Sequence, residues 1–382
     1  MKYCIKCILP ETRPSIYFEQ SGLCSGCLGH FKKEREIDWS SRELEFKTLV
    51  AEAKSKSTSY DCIVPVSGGK DSWYQVIMAQ KYGLNVLAVT WKTHGRTLVG
   101  QKNIDKLLQN LNVDHIEYTI APDIDKRFTK VAFEETGVSG LPMHMAIFTI
   151  PMRLAVQMRI PLVLWGENPQ LEYGGTNAEQ LKTTLDEEWL SKHGCMLETN
   201  SESWVGKEGL TSADLVGYRL PAFNSDFRPQ SIFLGSYFKW NSFENAEVSK
   251  KFGFEYLNVD GKTGAWAFAD IDCNFISIHH FLKWYKFGMS RAFDNLSVQI
   301  RYGMTTRDEA IATLSKLGPQ VPLNDIDAFC SFLEKDTKWF WDICEKHRNK
   351  KIWRQSDGVW QVENFILEDF SWKEFSIHEN RH

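Results

Sequence analysis

One short stretch, residues 64–72, constrains what this chain can fold into more than any other. It reads Val-Pro-Val-Ser-Gly-Gly-Lys-Asp-Ser, which predicts a buried strand, a glycine turn and a helix that begins near Asp71. Adjacent glycines allow backbone N–H groups to surround an anion, and the helix N-terminus adds a positive dipole end. Ser67 and Ser72 can add hydroxyl donors, and Asp71 is suited to hold Mg²⁺ against phosphate oxygens. The stretch therefore indicates a phosphate-binding loop rather than an ordinary capped turn.

The motif differs from the Walker P-loop, which requires Gly-x-x-x-x-Gly-Lys-Ser/Thr. Ser-Gly-Gly-Lys-Asp-Ser instead resembles the PP-loop of ATP pyrophosphatases, which bind the β,γ-pyrophosphate of ATP and transfer AMP to a substrate oxygen. The resemblance implies catalytic roles for Asp71, as the Mg²⁺ ligand, and for Lys70, which projects from the loop and neutralises phosphate charge. It also implies a set of ATP-binding residues in the loop and just before it: Val66, Ser67, Gly68, Gly69, Asp71 and Ser72.

The cysteines carry the second strong signal. Cys4 and Cys7 form one Cys-x-x-Cys knuckle, Cys24 and Cys27 form another, and sixteen residues separate the two. This spacing is typical of a Cys₄ zinc ribbon, which is structural because four cysteines leave no open coordination position; disulfides are the weaker alternative. The other five cysteines are isolated in the sequence and are expected to be buried free thiols: Cys62, Cys195, Cys273, Cys330 and Cys344.

Strands and helices alternate from Tyr60 onward, which predicts an α/β fold with a doubly wound parallel sheet. The predicted strands cover residues 62–66, 85–91, 115–120 and 161–165. In such a sheet the ligand lies outside the carboxyl ends of the strands. We therefore expect four regions: a zinc ribbon (1–30), a helical connector (31–58), a PP-loop ATP pyrophosphatase domain (59–260) and a mainly helical C-terminal region on the substrate side (261–382).

An acidic loop follows the fourth predicted strand. Gly166-Glu167 and then Glu172-Tyr173-Gly174-Gly175 resemble the loop after a strand in asparagine-synthetase-type PP-loop enzymes. The resemblance implies a catalytic role for Glu167 and substrate-side roles for Glu172 and Tyr173. By the same comparison three residues at strand ends are expected to bind ATP, the first two near adenine: Thr90, Trp91 and Gly166.

The C-terminal half is rich in aromatic residues and is harder to interpret. We expect a helix over 179–193, a strand over 230–239 and a helical subdomain over the last sixty residues. Residues 270–288 combine two acids, two adjacent histidines and two lysines; the histidines point in different directions on a helix and so form no chelating pair. Arg291, Asp294 and Arg301 follow on another helix, where such charges are typical of a solvated face.

The ribbon, the PP-loop and the long pattern from His279 to Ala310 together resemble the N-acetyl sugar amidotransferases of surface-polysaccharide pathways such as lipopolysaccharide O-antigen synthesis. The resemblance implies an ATP-dependent enzyme that adenylates the amide oxygen of an N-acetyl group on a nucleotide-linked sugar. Ammonia then displaces AMP and leaves an acetamidino group. It implies ATP, Mg²⁺ and structural Zn²⁺ as cofactors and adds three substrate-side residues: His280, Lys286 and Arg291.

The ammonia source is expected to lie outside this chain. A class II glutaminase needs an N-terminal cysteine nucleophile, whereas Cys4 belongs to the zinc knuckle. A triad-type glutaminase would need roughly 200 further residues, more than one typical domain. The family resemblance implies a separate glutaminase and a barrel partner similar to those of imidazole glycerol phosphate synthase.

Two other functions compete with this one. A tRNA-thiolating enzyme can also join a zinc ribbon to a PP-loop, but a net charge of −4 and the absence of a second cysteine pair at the strand ends disfavour it. A non-catalytic nucleotide-binding scaffold would not need Asp71. No apolar run reaches the ~20 residues that span a bilayer, and the expected location is the cytoplasm.

Overall fold

The centre of the molecule is a parallel sheet. The computed structural model describes residues 1–194, 196–222, 226–257 and 263–379. Five strands form the sheet in the order β3-β2-β1-β4-β5, and two more form an antiparallel hairpin. The strands are β1 (Cys62–Pro65), β2 (Val86–Trp91), β3 (Asp114–Tyr118), β4 (Leu162–Trp165), β5 (Gln230–Phe233), β6 (Trp353–Ser356) and β7 (Val359–Val362).

Helices cover both faces of this sheet and make up most of the C-terminal region. They are α1 (Ser25–Arg35), α2 (Trp39–Lys56), α3 (Lys70–Lys81), α4 (Leu98–Leu111), α5 (Pro122–Thr136), α6 (Leu141–Gln157), α7 (Pro169–Tyr173), α8 (Asn177–Leu181), α9 (Glu187–His193), α10 (Ser242–Phe252), α11 (Asn274–Phe281), α12 (Lys283–Phe287), α13 (Arg291–Arg301), α14 (Arg307–Leu317), α15 (Leu323–Phe332), α16 (Thr337–Lys346) and α17 (Trp372–Glu379). None of the described helices combines the length and apolar character that crossing a bilayer requires.

The strand order confirms the predicted doubly wound sheet and locates its switch point. β2 and β3 lie on one side of β1, whereas β4 and β5 lie on the other. The central strands are buried, apolar runs because helices cover both faces: α2, α3 and α4 on one side, α5 and α6 on the other. The crevice between the carboxyl ends of β1 and β4 is therefore where a ligand would bind. The PP-loop follows β1, and Glu167 follows β4.

The N-terminal ribbon packs on the C-terminal helices instead of standing alone. Its four cysteines share one buried core with residues of α11, α12 and α13, including Phe281, Trp284 and Phe293. Cys24 is the N-cap of α1, and Cys27 lies inside that helix. The ribbon thus runs directly into the predicted connector, which consists of two helices, α1 and α2.

Three predictions of secondary structure need correction. The predicted helix over 179–193 is two helices, since the chain between them pairs with β5 through Thr184 and Ile232. The predicted strand over 230–239 ends at Phe233, where the chain turns so that the Gly235 N–H donates to the carbonyl of Gly166. The last sixty residues contain the β6–β7 hairpin as well as helices. Four of the five isolated cysteines are buried and outside any disulfide, as predicted, and Cys195 lies outside the described residues.

Candidate functional site

The PP-loop has the strand–turn–helix geometry that its sequence predicts. Gly68 has φ of +89°, and a Cβ atom there would lie 2.3 Å from the carbonyl oxygen of Gly100 in α4. Only glycine fits this combination of left-handed backbone and close approach. The Ser72 hydroxyl donates to the carbonyl of Gly69, the N-cap of α3, at 2.7 Å. The turn therefore presents the N-terminus of α3 to the crevice.

Lys70 and Asp71 form an ion pair at the start of α3. The Lys70 Nζ atom lies 2.6 Å from Oδ2 of Asp71 and 5.7 Å from the centre of the Phe268 ring. Lys70 is the first residue of α3 and its side chain is buried, and its role in neutralising phosphate charge stays a prediction. The other Asp71 oxygen, Oδ1, is buried and has no hydrogen-bond partner. An unpartnered buried carboxylate oxygen beside a phosphate-binding turn fits a Mg²⁺ ligand.

Glu167 lies directly after β4 and faces the same crevice. Its Oε2 atom accepts a hydrogen bond from the Tyr173 hydroxyl at 3.3 Å. Burial and the negative charge of Asp71 raise the pKa of Glu167, the positive charge of Lys70 opposes the rise, and the resulting pKa is about 7. A carboxyl group with such a pKa can accept and release a proton near neutral pH.

Three of the five predicted substrate-side residues join Glu167 in one network. The Arg291 guanidinium lies 5.9 Å from the centre of the Tyr173 ring, and its Nε donates to Asp270 Oδ2 at 3.1 Å. His280 Nε2 lies 3.2 Å from the other oxygen of Asp270. Burial alone would raise the pKa of Asp270, but Arg291 and His280 hold it well below its ordinary value. Asp270 is therefore an ionised anchor for both side chains.

Asp270 and Asp272 are site residues that sequence reasoning missed. Asp272 bonds to Ser67 of the PP-loop, and burial raises the pKa of its carboxyl group. The Thr97 N–H donates to the Asp272 carbonyl at 3.1 Å, which fixes this segment against the start of α4. The Asp-Ile-Asp-Cys sequence is unusual, but its spacing does not indicate that this segment packs against the PP-loop.

The other two predicted substrate-side residues, Glu172 and Lys286, lie outside this network. Both Glu172 oxygens lie 2.8 Å from Nζ of Lys33 in α1, and the pair is buried. This contact is structural, because it fastens α1 to the loop after β4. Lys286 donates to the carbonyl of Thr136 at 3.0 Å and lines a separate cavity.

The predicted adenine-side residues lie at the end of β2. The Thr90 hydroxyl donates to the Val66 carbonyl at 2.8 Å and also contacts His115 Nε2. The carbonyl of the next residue, Trp91, accepts a hydrogen bond from Arg96. Thr90 thus ties β2 to the residue that opens the PP-loop, and the adenine contact stays a prediction.

The charges on α13 do not form a solvated face. Asp294 is fully buried; Nε of Arg13 lies 2.7 Å from one of its oxygens, and Nζ of Lys283 lies 2.7 Å from the other. Arg301 is buried too, and donates to the carbonyl of Glu172 at 2.7 Å. The prediction failed because the ribbon and the loop after β4 cover this helix, a contact between distant parts of the chain.

The four predicted zinc ligands converge. Their sulfur atoms all lie within 4.8 Å of one another, with 3.8 Å between Cys4 and Cys27 and 3.6 Å between Cys7 and Cys24. Tetrahedral Zn²⁺ with bonds of about 2.3 Å would place its sulfurs about 3.8 Å apart. Arg301 Nη2 lies 3.9 Å from the Cys7 sulfur and offsets thiolate charge. The donor set fits a structural zinc ion.

A comparison with protein families gives a match in the C-terminal region. Residues 236–366 match the family model for the C-terminal domain of WbpG-like lipopolysaccharide biosynthesis proteins. The match begins within the predicted PP-loop domain, before residue 261. No curated protein matches the sequence.

Two solved structures each align with part of this chain. An NH3-dependent NAD synthetase from Campylobacter jejuni is 16% identical, with a TM-score of 0.29, covering 44% of this chain and 82% of its own. An NMN synthetase from Francisella tularensis is 12% identical, with a TM-score of 0.26, covering 59% of this chain and 100% of its own. The geometry of residues 66–72 fits a phosphate-binding loop, and residues 236–366 are similar to the C-terminal domain of WbpG-like lipopolysaccharide biosynthesis proteins.

Proposed function

We propose that this protein is an ATP-dependent amidotransferase of lipopolysaccharide biosynthesis that converts an N-acetyl group of a nucleotide-linked sugar to an acetamidino group. One observation carries the proposal. The WbpG-like domain contributes Arg291 to a network that reaches the PP-loop domain through Tyr173 and Glu167. The reaction consumes ATP. We also propose that it takes place in the cytoplasm and that its product enters the synthesis of O-antigen or a related glycan.

The proposed reaction has two steps. The amide oxygen of the N-acetyl group attacks the α-phosphorus of ATP, which forms an O-adenylated imidate and releases pyrophosphate. Ammonia then attacks the imidate carbon, loses a proton, and expels AMP, which keeps the former amide oxygen. Adenylation is needed because the amide nitrogen donates into the carbonyl and makes it a poor electrophile.

The residues of the crevice can support both steps. The turn at Gly68 and Gly69 and the N-terminus of α3 would bind the leaving pyrophosphate, and Asp71 would hold Mg²⁺, which neutralises phosphate charge when bound. Glu167 would accept the proton that ammonia loses, since its pKa lies near neutrality. Arg291, held by Asp270, would position the amide and offset developing negative charge.

We also propose that ammonia comes from a separate glutaminase with a barrel partner similar to those of imidazole glycerol phosphate synthase. The support is the family resemblance, together with the position of Cys4 in the four-cysteine cluster. Free ammonium should then partly replace the partners in vitro.

A specific observation weighs against tRNA thiolation. Cys273 adjoins Asp272 next to the PP-loop, where a sulfur-carrying thiolate would be useful. Burial raises the pKa of its thiol to about 11, and its sulfur lies 3.2 Å from the Thr93 hydroxyl. A buried thiol with a raised pKa is a poor nucleophile.

The experiment is AMP release from ATP with ammonium chloride, with diacetamido nucleotide-sugars compared against unmodified tRNA. We expect sugar-dependent AMP release and a product in which NH replaces one oxygen by mass spectrometry. AMP formed only with tRNA would contradict the proposal and assign the protein to RNA modification. If neither substrate gives AMP and ATP–pyrophosphate exchange is also undetectable, the result would support a binding scaffold instead.

A further inference from the structure

A cavity of about 720 Å³ lies between the ribbon, the loop after β4 and the C-terminal helices, and its wall residues Arg13 and Asp294 contact Tyr173 and Arg291. Its wall includes Arg13 and Ser15 from the ribbon, Gln170 from α7, and Lys283 and Lys286 from α12. Pockets that hold drug-sized ligands have volumes of about 300–1,000 Å³. The cavity is therefore large enough for a sugar with part of its carrier.

Positive charge exceeds negative charge on this wall. Four cations line the cavity (Arg13, Lys192, Lys283 and Lys286), against two carboxylates (Glu198 and Asp294). Asp294 has no exposed side-chain surface, whereas the side chains of Arg13 and Lys283 keep 16% and 17% of theirs. The cations thus cover the carboxylate and present their charge to the cavity.

The arrangement around Asp294 holds these cations in place. Arg13 Nε lies 2.7 Å from one carboxylate oxygen, and Lys283 Nζ lies 2.7 Å from the other. Arg291 Nη1 also lies 3.7 Å from Asp294. Since Arg291 also pairs with Asp270, the group holds three cations against two carboxylates, and it keeps a net positive charge with rotamers that are already fixed. Such a group binds an anion with little further loss of side-chain entropy.

The same residues connect the cavity to the crevice. Arg291 bonds to Asp270 and lies over Tyr173, whose hydroxyl reaches Glu167 beside the PP-loop. Tyr173 and Arg291 therefore lie between the cationic wall and the proposed site of AMP transfer. A substrate could place its N-acetyl group at this network and an anionic group against the wall.

We infer that the cavity receives the sugar substrate, and that Arg13 and Lys283 bind an anionic group that the substrate carries. Both a carboxylate on the sugar and the diphosphate of the carrier nucleotide have the required chemistry. The inference rests on the proposed function, because it concerns the substrate of that reaction. It also gives the zinc ribbon a role in substrate binding, since the ribbon supplies Arg13.

The test is calorimetric binding to the zinc-loaded full chain without ATP. The probes are UDP, UDP-N-acetylglucosamine and UDP-N-acetylglucosaminuronic acid; the two sugars differ by a carboxylate in place of a hydroxymethyl group. The variants are Arg13→Gln and Lys283→Gln, with Arg13→Lys as the conservative replacement. Lys47→Gln on α2, which pairs with Glu43 far from the cavity wall, is the control for loss of one charge.

We expect about tenfold weaker binding in Arg13→Gln and Lys283→Gln, partial recovery in Arg13→Lys and no change in Lys47→Gln. A loss confined to the uronate identifies the sugar carboxylate as the bound anion, and an equal loss for all three probes identifies the diphosphate. Unchanged binding in both glutamine variants would overturn the inference, as would wild-type protein that binds no probe at millimolar concentration. AMP release measured in parallel separates the two proposals. If binding depends on Arg13 but no AMP is released, the inference about the cavity holds and the proposed reaction is contradicted.

Discussion

At the scale of single residues, the site places carboxyl groups in neighbouring environments that give them different properties. One carboxylate oxygen of Asp71 accepts a hydrogen bond from Lys70 Nζ, and the other has no hydrogen-bond partner. The second oxygen is therefore suited to bind a metal ion. The pKa of Glu167 is raised to about 7, mainly by burial and by the negative charge of Asp71. Asp270 is kept ionised by the charge of Arg291 and by its hydrogen bonds to Arg291 and His280. Groups whose pKa values are pushed apart in this way are candidates for distinct roles in one reaction.

Asp71→Asn should abolish sugar-dependent AMP release while the fold and the zinc content stay unchanged. Asparagine keeps the shape of the side chain but removes the charge that would hold Mg²⁺ against phosphate oxygens. AMP release and bound zinc are measured on the same preparation. Retained AMP release would contradict the PP-loop assignment, whereas loss of zinc would show misfolding instead.

Glu167→Gln should stabilise the protein at alkaline pH in the absence of nucleotide and magnesium. The pKa of Glu167 rises from 4.5 to about 7 on folding, so between these values the folded state binds more protons than the unfolded state. Stability therefore falls as pH rises through this window. Urea unfolding of both proteins at about pH 4.5 and about pH 8 gives the comparison. Equal stability of the two proteins at the higher pH would contradict the raised pKa.

At the scale of elements, the PP-loop depends on a close approach between two backbones. Gly68 lies against Gly100 at the start of α4, and Gly100 lies against the backbone of Asp272. The loop is thus held by an adjacent helix and by a segment some 200 residues later in the chain. The close packing of Gly100 on the Asp272 backbone brings the Asp272 carboxylate within hydrogen-bonding distance of Ser67.

Gly68→Ala should therefore displace the PP-loop and reduce AMP release by about a hundredfold, since about 1 Å of misplacement can have that effect. The control is Gly303→Ala. Gly303 also has a positive φ, +69°, but has nothing within 4 Å of the added Cβ, so it bears only the backbone strain of about 1 kcal/mol. Equal effects of the two changes on AMP release would show that the approach to Gly100 is unimportant.

The elements that could be predicted from sequence are those with local signals. The strand–turn–helix at Ser67, the parallel sheet and the capping box at Thr306 each follow from neighbouring residues. The buried positions of Asp294 and Arg301 could not be predicted, because the residues that cover them are far away in the sequence. The same reason explains why Asp272 was missed and why Glu172 was expected at the substrate.

At the scale of the whole molecule, the ribbon and α1 lie between the loop after β4 and the C-terminal helices. Lys33 in α1 bonds to Glu172 after β4, to the Trp240 carbonyl and to the Tyr302 hydroxyl of the C-terminal region. A buried ion pair is not itself strong evidence of stability, but breaking one leaves an uncompensated charge. This pair fixes the relative position of the elements that build the site.

Glu172→Gln should lower the free energy of unfolding by about 3 kcal/mol. The reason is that Lys33 would keep its charge in a buried place without its carboxylate partner. The double variant Lys33→Met/Glu172→Gln should recover much of the loss, and denaturant unfolding measures all three proteins. If Glu172 contacted the substrate instead, the single variant would lose AMP release without losing stability.

Removal of zinc should loosen the ribbon and affect the cavity more than the PP-loop. Ile8 and Leu9 lie between the two cysteine knuckles and belong to the core shared with α11–α13, so an unfolded ribbon would expose that core. The structural zinc of small fingers contributes about 10–16 kcal/mol of folding free energy, so a chelator should lower the unfolding midpoint strongly.

Because the ribbon also carries Arg13, binding of UDP-N-acetylglucosaminuronic acid should weaken in the chelated protein while ATP binding persists. Cys7→Ser should reproduce both effects, whereas Cys62→Ala, which changes a buried cysteine outside the cluster, should keep its zinc and its probe binding. Equal loss of ATP and sugar-nucleotide binding on chelation would contradict this division, because it would mean that the ribbon supports the whole fold rather than the cavity wall.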